Sequence, residues 1–214
     1  MSLPDGISLR DPRPIAAESP YTFELPHPEH VAAAREGDLV KAIFVDRDGA
    51  YDAERMWMRI ENRTAGAFVG VLDNEPSDMV NLACGDPVTV PIDHVIGVFT
   101  GDGRELPEVE PRRTYWDRCF VDACVADGRC HADYLYREEP DMTEDGDKYL
   151  DSGWRIRGTV GAIAIDKENG DKPRYIAIGA VLNADDRWVD LVDRDHPCAF
   201  QWDEEAQQYI ELDR

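Results

Sequence analysis

Leu39-Val40-Lys41-Ala42-Ile43-Phe44-Val45, the turn Asp46-Arg47-Asp48-Gly49, and Glu54-Arg55-Met56-Trp57-Met58-Arg59-Ile60 decide how the first half of the chain folds. Two apolar runs separated by a turn-rich tetrapeptide predict a β-hairpin. In the second run Met56, Met58 and Ile60 fall on one face, and Arg55, Trp57 and Arg59 fall on the other. That is the period-two alternation of a half-buried strand.

The same signals continue outward from the hairpin. Residues 62–66 turn the chain into a third strand at 67–72, and Asp73-Asn74-Glu75-Pro76 ends it. Gly85-Asp86-Pro87 introduces a fourth strand at 88–92, and residues 94–99 are strand-like again. The spacing describes an antiparallel meander with little helix. Upstream, His30-Val31-Ala32-Ala33-Ala34-Arg35 before Gly37 predicts one short helix. Residues 1–26 carry Pro4, Pro12, Pro14, Pro20 and Pro26 with little apolar periodicity and read as an extended arm. Downstream, Gly101-Asp102-Gly103 and Pro107-Glu108-Val109-Glu110-Pro111 place a linker at 101–113.

Beyond the linker, strands are expected at 119–125, 132–137, 154–157 and 160–165. The run at 174–182 fits a strand or a helix, because so short an apolar run does not separate the two. Trp188, Leu191 and Val192 are spaced for one or two helical turns, and 200–202 with 208–212 reads as a terminal hairpin. Residues 138–151 hold seven acids against one lysine, which makes them a solvated loop. The expected fold class is therefore α+β, with two small domains, each a mostly antiparallel sheet with one or two short helices. The divisions are the arm 1–26, a first domain 27–100, the linker 101–113 and a second domain 114–214.

Charge sets the partner classes. The chain of 214 residues holds 45 acidic and 23 basic side chains, a formal net charge of −22. Both halves are acidic, at −12 for 1–111 and −10 for 112–214. Such a surface repels phosphate backbones, which argues against nucleic-acid binding. It favours basic partners, divalent cations or simple solubility. With 43% hydrophobic residues the chain can still build a core. Met-Ser-Leu-Pro-Asp-Gly at the start is not a secretory signal, and the longest apolar stretch, 176–182, is too short to cross a bilayer. Five scattered cysteines fit reduced thiols, so a cytoplasmic protein is expected, without membrane contact and as a monomer or weak dimer.

Common catalytic signatures do not occur. Ser152, in Asp-Ser-Gly-Trp, has no histidine near it in sequence to activate it. Cys119, Cys124, Cys130 and His131 lack the tight Cys-x2–4-Cys knuckle of structural zinc. Asp141-Met142-Thr143-Glu144-Asp145-Gly146 opens like a calcium loop, but Ser152 stands where a bidentate glutamate belongs. Glu138, Glu139 and Asp151 sit in too polar a run to supply one acid with a raised pKa for glycoside hydrolysis.

Two stretches carry a family likeness. Glu36-Gly37-Asp38-Leu39-Val40-Lys41-Ala42, Glu54-Arg55-Met56-Trp57, Gly70-Val71-Leu72-Asp73-Asn74-Glu75-Pro76 and Gly85-Asp86-Pro87-Val88 resemble a small bacterial domain of unknown function found in YegJ-like proteins. Tyr134-Leu135-Tyr136-Arg137-Glu138-Glu139-Pro140, Asp151-Ser152-Gly153-Trp154-Arg155 and Gly179-Ala180-Val181-Leu182-Asn183 resemble the thirty-third immunity-protein family of bacterial polymorphic-toxin systems. The resemblance implies a non-enzymatic protein that binds and neutralises a toxin or effector protein, with no cofactor, no metal and no catalytic residues.

A toxin inhibitor needs a rigid scaffold, opposite charge and a few aromatic or arginine anchors. Tyr136, Arg137, Glu138, Glu139, Asp141, Asp151 and Trp154 are the candidate contact set. A second account of the same residues puts Trp154 and Tyr136 in the core and pairs Arg137 with a glutamate. The alternative function is a metal-binding or hydrolytic domain that uses loop 138–151 and Ser152.

Overall fold

The computed structural model of the chain describes residues 3–47 and 53–213. It contains two compact units. The first comprises Met1–Glu18 and Phe23–Arg112, and the second Ser19–Thr22 and Arg113–Arg214.

The first unit is one antiparallel sheet built from β1 (Ile7–Leu9), β2 (Leu39–Asp46), β3 (Glu54–Arg63), β4 (Ala67–Leu72), β5 (Pro87–Pro91) and β6 (Gly97–Phe99). Strands β1 to β5 pair in chain order, and β6 returns to pair with β2. The register sets Ala42 opposite Met56 and Val40 opposite Met58. Alternation then buries Val40, Ala42, Phe44, Met56, Met58 and Ile60 together, with Phe68, Leu72, Val88 and Val90 from the next two strands. The meander and its inward face are as the sequence predicts. In the turn after β2, Asp48 and Gly49 lie outside the described residues.

The flanks of this unit are more ordered than an arm and a linker. The proline-rich start supplies β1 and the short helix α1 (Arg13–Glu18). Helix α2 runs over Pro28–Ala33 rather than 30–35, because Pro28 begins it and His27 Nδ1 accepts the Glu29 N–H. Asp38 is buried and accepts both terminal nitrogens of Arg104 at 2.6 Å. It also accepts the Arg35 and Gly101 N–H groups, so 101–104 is fixed to this unit.

The second unit contains β7 (Arg118–Val121), β8 (Tyr134–Arg137), β9 (Asp151–Arg157), β10 (Arg174–Ala177), β11 (Cys198–Asp203) and β12 (Gln208–Glu211). Their order across the sheet is β10-β7-β9-β8-β11-β12. Only β7 and β9 run parallel. Helices α3 (Ala123–Ala126), α4 (Val160–Asn169) and α5 (Ile178–Ala184) complete the unit. The terminal hairpin is as expected, and the ambiguous run at 174–182 proves to be a strand followed by a helix.

Two strand expectations fail. Residues 119–125 divide into the end of β7 and helix α3, and 160–165 belong to α4. The second failure has a local cause: Thr159 Oγ1 accepts the Ala162 N–H at 3.3 Å, and Gly170 ends the helix in the left-handed region. Caps at both ends outweigh the strand preference of a short apolar run. Among the described residues no helix is long and apolar enough to cross a membrane.

Candidate partner-binding surface

The Asp151-Ser152-Gly153-Trp154-Arg155 stretch shapes the second unit. Arg118 on β7 pairs with Asp151 and Phe120 with Arg155, so β9 carries two more residues than β7 between the same pairings. The excess is taken up as a bulge at Gly153, whose φ is +79°. A Cβ on that residue would lie 2.1 Å from the Glu138 carbonyl oxygen. Only glycine satisfies both the dihedral and the close approach.

Ser152 is used up inside the bulge. Its hydroxyl donates to the Arg118 carbonyl at 2.7 Å and accepts the Trp154 N–H at 3.2 Å. The bulge turns Trp154 into the core with no accessible surface, and its indole N–H donates to the Val192 carbonyl at 3.1 Å. The ring packs 5.6 Å from Trp188 and 6.4 Å from Phe200. Trp154 is therefore removed from the contact set, since a ring without accessible surface cannot anchor a partner.

Arg155 is the hub that sequence reasoning missed. Its guanidinium, itself buried, reaches Glu138 at 2.7 Å and Asp141 at 2.9 Å, and grips both oxygens of Asp151 at 2.9 Å. The cation also lies 5.2 Å above the Phe120 ring. Asp151 further accepts N–H groups from Gly153, Asp141 and Met142 at 3.1 to 3.3 Å. Burial alone pushes the Asp151 carboxyl up, but the Arg155 guanidinium and these N–H donors outweigh it and hold the pKa below the ordinary value. With its side chain fully covered, Asp151 fastens the loop and is also removed from the contact set.

The remaining expected residues separate by face. Tyr136 is half-buried on the side of the sheet opposite the core. Arg137 points the other way, donating to the Ser152 and Arg194 carbonyls with its guanidinium 5.9 Å from the Trp154 ring, so it does not pair with a glutamate as one account required. Glu138 and Asp141 hold Arg155 while keeping accessible surface, and Glu139 is exposed beside His196. Glu144, Asp145 and Asp147 are exposed along the loop.

Around Tyr136 the outer face carries aromatic rings and arginines paired with carboxylates. Tyr134 stacks on Tyr136 at 5.6 Å, and Phe120 lies 5.0 Å from Tyr175. Arg157 donates to Asp122 at 2.7 Å. A cleft of about 230 Å³ opens there, lined by Phe120, Asp122, Tyr136, Arg155, Arg157 and Pro173. The sequence signal for this face was the i, i+2 repetition in Tyr134-x-Tyr136 and Arg155-x-Arg157, which alternation sends to one side. Cys119 donates to the Ile176 carbonyl at 3.6 Å, away from Cys124 and Cys130. Among the described residues no group of three or more His, Cys, Asp and Glu side chains is placed to hold a metal.

This is an α+β protein whose second unit presents an aromatic and arginine face beside a strongly acidic loop. Residues 119–213 match the family model described as the immunity protein Imm33 domain. Residues 21–100 match that of DUF2314, described as an uncharacterized protein conserved in bacteria. The second part of the chain is thus similar to an immunity domain and the first to a domain of unknown function, the two-part organisation its motifs resemble. No curated protein and no solved structure matches it.

Proposed function

We propose that the chain is a non-enzymatic, cytoplasmic immunity protein that binds and neutralises a basic protein toxin. The observation that carries the reading is the immunity-domain match over 119–213. The net charge of −22 and the exposed carboxylates Glu139, Glu144, Asp145 and Asp147 support a basic partner. In this reading the outer face with Tyr136, Phe120 and Arg157 makes the contact, and Glu138, Glu139 and Asp141 form its acidic rim. Arg137 orients the edge of β8 beneath that rim. Hydrolysis at Ser152 finds no support, since the hydroxyl is committed as donor and acceptor within the bulge.

The test is capture of the cognate partner from the native host, followed by association kinetics. Converting Glu139, Glu144, Asp145 and Asp147 to amides lowers the on-rate about tenfold at low salt and changes the off-rate less. Tyr136→Ala does the reverse and raises the off-rate. An on-rate indifferent to salt and to all four amides removes the acidic loop from recognition.

A further inference from the structure

Two cysteines of the second unit share one small space. Cys124 lies in α3, and Cys130 follows the turn that ends this helix, where the Cys130 N–H donates to the Cys124 carbonyl at 3.2 Å. Both side chains press on Gly158. A Cβ placed there would sit 2.5 Å from Cys124 Sγ and 2.8 Å from Cys130 Sγ. Two sulfurs crowding one point are neighbours. Glycine at 158 leaves the room that both occupy.

The two thiols differ in access. Cys124 is fully buried, whereas Cys130 is half-buried at the edge of the core. Burial, with help from Cys130 and Asp166, pushes the Cys124 thiol well above its ordinary pKa. The inner thiol therefore stays protonated, and a reagent arriving from solvent meets Cys130 first.

We propose that Cys124 and Cys130 form an oxidation site, at which a peroxide converts the pair into an intramolecular disulfide. The Cys130 thiolate attacks one peroxide oxygen, the O–O bond breaks, and Cys130 becomes a sulfenic acid while the departing hydroxide takes up the proton lost by the thiol and leaves as the first water. The Cys124 sulfur then attacks the Cys130 sulfur. The S–S bond forms, the S–O bond breaks, and the hydroxyl departs as a second water with the proton from Cys124. Two thiols are oxidised, and one peroxide is reduced to two waters. The backbone hydrogen bond between the two residues already holds their main chains at the close approach that a disulfide needs.

The full chain, treated with hydrogen peroxide, quenched, alkylated and digested with trypsin, tests this directly. Cleavage after Arg118, Arg129 and Arg137 separates the two cysteines, so the expected product is peptide 119–129 joined to peptide 130–137. The joined species is about 2 Da lighter than its two reduced parts together. Titratable thiols fall from five to three. Fragmentation of the joined peptides assigns the bond to Cys124 rather than Cys119. The Cys124→Ala variant loses the cross-link, and its Cys130 is trapped as a sulfenic acid by dimedone. Five titratable thiols after peroxide, sulfinic acid at Cys130 without a cross-link, or a cross-link that survives Cys124→Ala would overturn the assignment.

Discussion

Each unit fastens a loop with one arginine on one buried aspartate, and the two fasteners are built differently. In the first unit Asp38 receives Arg104, whose side chain keeps 23% of its surface and which also donates to the Ala33 carbonyl at 2.9 Å. In the second unit Asp151 receives Arg155, which keeps 7% and is shared with Glu138 and Asp141. The first joins Arg104 to one buried anion, with the exposed Asp102 at 3.3 Å balanced by Arg35, and closes a loop against a helix end. The second gathers three anions on a single cation, leaving the root of the acidic loop negative even when fully paired. A charge-neutral clamp serves architecture, whereas an over-subscribed one holds like charges together at a surface that would otherwise scatter them.

The sharpest way to break this comparison is to remove each cation. Arg155→Ala strands a buried Asp151 beside two further acids, and the expected loss is about 3–5 kcal/mol by denaturant unfolding. Arg104→Ala should cost visibly less, because this arginine is closer to water and its loss does not leave three acids gathered without a cation. Equal losses would show that sharing among three acids confers nothing special.

Next in size is Gly153→Ala, which forces a side chain into the left-handed region and onto the Glu138 carbonyl. A loss of about 2 kcal/mol or more is expected, with the acidic loop more open to proteolysis. A neutral result would mean that the bulge can relax without releasing Arg155.

A pH series comes third. Asp38 and Asp151 both have folded-state pKa values below the ordinary 3.8, for Asp38 chiefly through Arg104 and for Asp151 against the opposing pull of burial. Their contribution is complete above the unfolded pKa and is lost as pH falls through the lower folded values. Melting temperatures should therefore drop below about pH 4, and the gap between wild type and Asp151→Asn should narrow over the same range.

The smallest effect is proteolytic. Trypsin should cut after Arg112 or Arg113 sooner than after Arg104, whose guanidinium is held by Asp38. Each fragment then keeps its own sheet folded. First cleavage at Arg104 would mean that the clamp is open in solution.

What could be read in advance follows the range of the forces involved. The Met56, Met58 and Ile60 face was legible because alternation is local, and so was the terminal hairpin around 203–208. Helix α4 was not, because Val160 to Ile165 looks strand-like until Thr159 and Gly170 are recognised as its caps. Trp154 could be assigned either way from sequence, and its burial depends on a register shift that Gly153 creates. Arg155 stayed hidden for a related reason: Glu138 and Asp141 stand 17 and 14 residues before it, and nothing local announces their convergence.

The strand order of the two sheets also has a kinetic side. Strands β2 to β5 each pair with a neighbour in sequence, so most of the first sheet can zip up through short loop closures. In the second sheet β7 waits for β9 and β10, and β8 for β11, so long stretches of chain must come together before those pairings give any return. The first unit should therefore fold faster, and it also leaves the ribosome first. The second must keep Val121, Trp154 and Phe200 unshielded until its distant strands arrive, and this is the interval in which the molecule is most open to aggregation.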